Sequence, residues 1–179
     1  PNKLVSAYKD NVAFNEGPKV EQFAPQSADK PDFFAVKEID TVISLKAETH
    51  NFPTTVEPFN GAATGTGGEI RDRMGGGVGS WPIAGTAVYM TAYPRLKEDE
   101  LSLKASKVAR GEDAAKEYTG ERDWEDIMPV RNWLYQSPEQ ILIKASNGAS
   151  DFGNKFGQPL ICGSVLTFEH QEPTTTDEA

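Results

Sequence analysis

Lys46, Glu48, His50 and Asn51 stand within six residues of one another. They combine a cation, a hard-cation ligand, a proton-transfer group and a carboxamide. On a strand, Lys46, Glu48 and His50 would share one face, because side chains alternate with period two. Such a face is poor core material unless its charges are paired. Glu48 suits magnesium, which takes a few carboxylates together with phosphate oxygens. His50 is a natural general acid or base, since imidazole titrates near neutrality. Downstream, Glu69, Arg71 and Asp72 form a second charged group. The Arg71 fork can grip a phosphate or carboxylate, and Asp72 can complete a metal site.

Between the two groups lies GAATGTGG, residues Gly61 to Gly68. Small residues at nearly every position let backbone N–H groups converge on an anion, so a phosphate-approaching loop is expected here. On glycine content alone a flexible connector fits equally well. No Gly-Lys-Ser/Thr follows, and no hydrophobic strand leads into GxGxxG, which excludes a Walker loop and a dinucleotide fingerprint. With the flanking charges included, a nucleotide–magnesium site is the better reading.

These residues need elements to carry them. A strand is expected over about Leu4 to Phe14, with a helix as the alternative, in a segment that stops at the turn signal Gly17-Pro18. Lys19 to Asp32 reads as loop, followed by two β-rich runs, Phe33 to Val36 and Thr41 to Lys46. IAGTAVYMTAY reads as a buried strand. The charge-dense stretch at about 97–130 reads as an exposed, partly helical insertion. Ser137-Pro138-Glu139-Gln140 carries a helix start, and Ile141, Leu142, Ala145, Ala149 and Phe152 recur at helical spacing. LICGSVLTFE closes the series as a strand. Strands and helices are interspersed without doubly wound alternation, so the expected class is an α/β (α+β-like) sandwich. Residues 1–170 are read as one subdomain and 171–179 as a polar tail or linker.

The 179 residues carry a net charge of −9, which excludes nucleic-acid binding through a broad basic surface. No apolar run approaches the roughly 20 residues of a membrane helix. One cysteine, Cys162, rules out an internal disulfide and fits a reducing cytosol. Cys162 and the three tryptophans, Trp81, Trp124 and Trp133, are expected to pack in the interior, and His170 is given no role. A start at Pro1 and a polar end suggest an excised piece of a longer polypeptide.

KAETHNFPTTVEPFNGAATGTGGEIRD, with SAYKDN near the start and NKFGQP before the last strand, closely resembles the phosphoribosylformylglycinamidine synthases, glutamine-dependent ligases of purine synthesis, in their large single-chain form. The resemblance covers most of the chain and is weakest at about 97–130. It implies the N-terminal subdomain of the first of two halves, each similar to aminoimidazole ribonucleotide synthetase, with a sheet that pairs with its counterpart in a barrel-like core. It implies ATP and magnesium as cofactors. As partners it implies formylglycinamide ribonucleotide, the other synthetase half and a glutaminase domain, and it places the protein in the cytoplasm.

By this resemblance the ATP-binding positions are Tyr8, Lys46, Gly61, Ala62, Ala63, Thr64, Gly65, Thr66, Gly67, Gly68, Glu69, Ile70, Arg71 and Asp72. The metal positions are Glu48 and Asp72. The substrate positions are Thr49, His50, Asn51, Phe52 and Arg71, with His50 as proton acceptor and Cys162 to Ser164 near the nucleotide. Phe52 stands where many members have histidine, which removes an imidazole from that position. Two other readings are a related synthetase with another substrate and a structural or interface subdomain, inactive in isolation.

Overall fold

The computed structural model describes residues 3–7, 9, 11–75, 80–95, 125, 127–128, 131 and 135–170. The chain divides into two compact units. The first comprises Pro1–Glu48 and Gly68–Pro82, and the second Thr49–Gly67 and Ile83–Ala179. Tyr8, the tail 171–179, Trp124, Trp133 and nearly all of the 97–130 stretch lie outside the described residues. In class the protein is mixed α and β with small sheets.

The first unit holds an antiparallel three-stranded sheet in the order β1-β2-β3, with β1 at Leu4–Ser6, β2 at Ala13–Pro25 and β3 at Phe34–Leu45. The single strand expected over Leu4 to Phe14 is therefore split, and the loop expected after Lys19 is strand as far as Pro25. Gly17-Pro18 makes a bulge in β2, where the register shifts between Glu16 and Lys19, instead of a turn. Pro18 has no N–H to give to a ladder, and a bulge absorbs that loss while the pairing resumes beyond it. The Thr41 hydroxyl donates to the Pro18 carbonyl at 2.5 Å and fastens the bulge. The two β-rich runs beyond Asp32 form the single strand β3, because the intervening KEID faces solvent on one side and pairs normally. Val12 and Ile70 are the most completely buried apolar residues of this unit.

The second unit contains a short helix α1 (Phe52–Val56), the parallel strands β4 (Gly85–Thr91) and β5 (Leu160–Thr167), and a helix α3 (Pro138–Phe156). Between α1 and β4 runs α2 (Pro58–Gly75), whose residues belong to the second unit up to Gly67 and to the first from Gly68. Helix α3 starts as its sequence requires. Ser137 caps it by accepting from the Gln140 amide at 3.2 Å, and Pro138 takes the first turn. It ends at Gly157 in the left-handed conformation, φ +93°. Its buried face includes Ile141, Ala145, Gly148, Ala149 and Gly153, and Ala145 and Ala149 form a core with Ala62 of α2, against which Tyr89 and Leu160 pack.

The largest departure is α2. GAATGTGG is helix, not loop, so from Gly61 onward the backbone amides are used within the helix and do not converge on an anion. Gly61 N–H already bonds the Glu57 carbonyl at 2.7 Å. Each interior glycine costs about 1 kcal/mol in helix propensity relative to alanine. Close packing offsets this: a Cβ on Gly61 would lie 2.6 Å from the Thr54 backbone, and one on Gly148 of α3 would overlap the Phe59 carbonyl. Thus glycine here buys nearness between helices. Two smaller corrections follow from the size of the second sheet. With only β4 and β5 paired, Val88 and Met90 of the expected buried strand are exposed, and so is Cys162. Trp81 is likewise 85% exposed.

Candidate functional site

In the first unit, four of the expected residues meet. Strand β3 stops at Leu45, so the alternation anticipated through His50 does not continue. Lys46 and Glu48 nevertheless come together, because Lys46 turns to the Asp72 end of α2. Its ammonium lies 2.8 Å from Asp72 Oδ2 and 3.3 Å from Glu48 Oε2. The Lys46 and Asp72 side chains are mostly shielded, at 13% and 18% exposure. The hydrogen bond to Asp72 holds the Lys46 ammonium above its ordinary range, and the same bond holds Asp72 below the usual carboxylate range. Arg71 stands beside Asp72, its Nε 3.9 Å from Oδ1, with 79% of its side chain exposed. That fork is open to solvent.

Two carboxylates converge on one cation, which is the environment a divalent ion also favours. Among the described residues no group of three or more His, Cys, Asp or Glu side chains could hold a metal. Glu48 and Asp72 offer two carboxylates here, both in contact with the Lys46 ammonium. Two other expected ligand positions are occupied structurally. Glu69 is paired with Arg73 at 2.8 Å, one helical turn on, and Ile70 is a core residue at 2% exposure.

In the second unit, His50 precedes α1, and Asn51 occupies the N-cap position without a side-chain cap bond. Thr54 Oγ1 donates to the His50 carbonyl at 2.5 Å and lies 3.4 Å from His50 Nδ1. Thr49, Asn51 and Phe52 are exposed. The Phe52 ring meets Tyr135 edge-on, with centroids 6.2 Å apart. Of the α2 residues in this unit, Gly61, Ala62 and Thr66 are buried, Ala63, Gly65 and Gly67 are partly buried, and Thr64 is exposed with its hydroxyl on the Asn60 carbonyl at 2.8 Å.

Reading the sequence did not single out Thr54. Its signal was the spacing of four from His50, one turn along a helix start. It also missed a pocket of about 210 Å³ lined by Tyr89, Ser146, Ser150 and Cys162, where burial raises the Tyr89 phenol above its ordinary value. Arg95 and Arg131 were missed too; both bind Glu169 Oε1, at 3.0 and 2.8 Å.

No protein-family model matches the chain. Among curated proteins, it is 36% identical over 171 residues to a Drosophila melanogaster protein named phosphoribosylformylglycinamidine synthase, covering 94% of this chain. It is 38% identical over 173 residues to an Arabidopsis thaliana protein named probable phosphoribosylformylglycinamidine synthase, chloroplastic/mitochondrial, covering 97%. A Homo sapiens phosphoribosylformylglycinamidine synthase is 35% identical over 173 residues, again covering 97%. The chain spans about 11% of the length of these relatives.

Proposed function

The chain belongs to the phosphoribosylformylglycinamidine synthase family, as one segment of it, and from that premise we propose that it supplies part of the ATP and substrate site of such an enzyme. The complete protein would convert formylglycinamide ribonucleotide, glutamine and ATP to formylglycinamidine ribonucleotide, ADP, phosphate and glutamate. The observation that carries the reading is the shielded Lys46–Glu48–Asp72 cluster with Arg71 reaching solvent beside it.

In this reaction the substrate amide oxygen takes the γ-phosphoryl group of ATP, and ammonia then displaces phosphate. Lys46 and Arg71 bind phosphate oxygens and offset their charge as the bond breaks. Glu48 and Asp72 would hold magnesium, which when bound supplies further charge neutralisation. Thr49, Asn51 and Phe52 present exposed groups to the ribonucleotide, and His50 moves a proton during amide activation or ammonia attack. Gly61 to Asp72 contribute as a helix that carries Arg71 and Asp72, and not through a loop of free amides.

The rest of the same polypeptide is the main partner in this reading. Support comes from the β2–β3 ribbon, where Phe23, Pro25, Phe34 and Val36 share one face by cross-strand pairing. Phe23, Phe34 and Val36 are more than half exposed. A second, pseudo-symmetric sheet would cover that face. The single cysteine fits a reducing, cytoplasmic setting; among the described residues no helix is long and apolar enough to cross a membrane.

The test is ammonia-dependent ATP hydrolysis with formylglycinamide ribonucleotide, measured on the 179-residue chain and on the full-length protein. Turnover is expected only in the latter. There, His50→Ala lowers kcat by about 100-fold while calorimetry shows ATP affinity nearly unchanged. Wild-type turnover in that variant removes His50 from the mechanism. Absence of ATP binding by the full-length protein overturns the proposal as a whole.

A further inference from the structure

The geometry points to Thr54 and Gly65 as positioning residues that fix the His50 imidazole with its proton on Nδ1 and its lone pair on Nε2. This rests on the reading of His50 as the proton-transfer group. A threonine hydroxyl has one proton to donate and two lone pairs to offer. The proton of Thr54 goes to the His50 carbonyl, only 2.5 Å away. Toward Nδ1, at 3.4 Å, the same oxygen can then act only as an acceptor. Nδ1 must therefore carry hydrogen to use it, and in the neutral ring that leaves Nε2 bare. The contact is long, as catalytic hydrogen bonds often are before the substrate arrives.

The hydroxyl thus ties the main chain and the ring of His50 to one point on α1. On the α2 side, His50 lies close against Gly65. A Cβ placed on Gly65 would stand 3.0 Å from His50 Cβ, 3.5 Å from Cγ and 4.0 Å from Nδ1. Glycine leaves the His50 Cβ its present place without crowding. Alanine would press on the His50 Cβ by a few tenths of an ångström, against a main chain that Thr54 already holds, and the ring would move with it. Displacements on this scale matter to proton transfer, for about 1 Å of misplacement can cost about 100-fold in rate. Hence a residue without a side chain takes part in placing the base.

Nitrogen-15 spectra of the 179-residue chain read the tautomer directly, and with two histidines a His170→Ala sample completes the assignment. Neutral His50 is expected as the Nδ1–H form. Thr54→Val, which keeps the shape and removes the hydroxyl, should shift the ring toward the Nε2–H form that histidine favours in water. Thr54→Ser should restore the original pattern. Gly65→Ala should move the ring resonances without changing the tautomer.

In the full-length protein, Thr54→Val should lower kcat by about 10-fold with the KM for ATP unchanged, and Thr54→Ser should recover most of the loss. An Nε2–H tautomer in the unaltered chain overturns the inference. So does a Thr54→Val variant with both tautomer and kcat unaltered. If the tautomer responds as expected while His50→Ala keeps full activity, the positioning stands and the proton-transfer role of His50 falls.

Discussion

Lys46 shows how much one side chain can decide. Its ammonium keeps Glu48 and Asp72 from facing each other as uncompensated like charges, and it lies where a ligand's cation would have to compete. A second carboxylate held by local donors is Asp32, in the loop between β2 and β3. Ser27 donates to it at 2.5 Å and the Phe33 amide at 2.8 Å. The Ser27 bond is the main cause, followed by the Phe33 amide and Lys37, that holds its carboxyl below the ordinary range. A depressed carboxylate adds stability that is present above its unfolded pKa, about 3.9, and is lost as pH falls through the lower folded value. Ser27→Ala should therefore move the Asp32 titration upward, which a carbon-13 pH titration reads; an unmoved midpoint would show that the Ser27 bond has no such influence. At this scale the sequence was informative about identity and weak about contact. Lys46, Glu48, Arg71 and Asp72 could be picked out by chemistry, but that Glu69 is held by Arg73 and Ile70 by the core depends on helix phase.

Among the elements, legibility followed the strength of local signals. Helix α3 carries a capping serine, a first-turn proline, a periodic apolar face and a terminal glycine, and all of these act as their chemistry suggests. Helix α2 carries no such signals, and four interior glycines argue against a helix with a combined cost of about 4 kcal/mol relative to alanine. Its helicity is decided by neighbours far away in the chain, which no local pattern records. Likewise Gly17-Pro18 has the composition of a turn, yet the pairing of β2 with β3 carries the strand through it as a bulge. The helix contact leads to a test. Gly148→Ala places a methyl group on the Phe59 carbonyl and should destabilise the fold by about 1–3 kcal/mol. Denaturant unfolding of that variant at wild-type stability would mean that the helices do not approach this closely.

At the scale of the whole molecule, the chain is two compact units and about a tenth of the length of its relatives. Apolar side chains on the β2–β3 ribbon and on β4 remain in water. The glycine content of α2 has a consequence in time as well as in space. A helix with several interior glycines does not nucleate readily, since the first turn is unfavourable and propagation is weak. Its packing partner α3 lies some sixty residues further toward the C-terminus. During synthesis the 58–67 part, which packs with α3, therefore leaves the ribosome before that partner exists. A synthetic 58–75 peptide should show almost no helical circular dichroism in water, and a strongly helical spectrum would refute that order of events. The half of α2 that carries Arg71 and Asp72 has its partners earlier in the chain, whereas the half that meets α3 must wait for it.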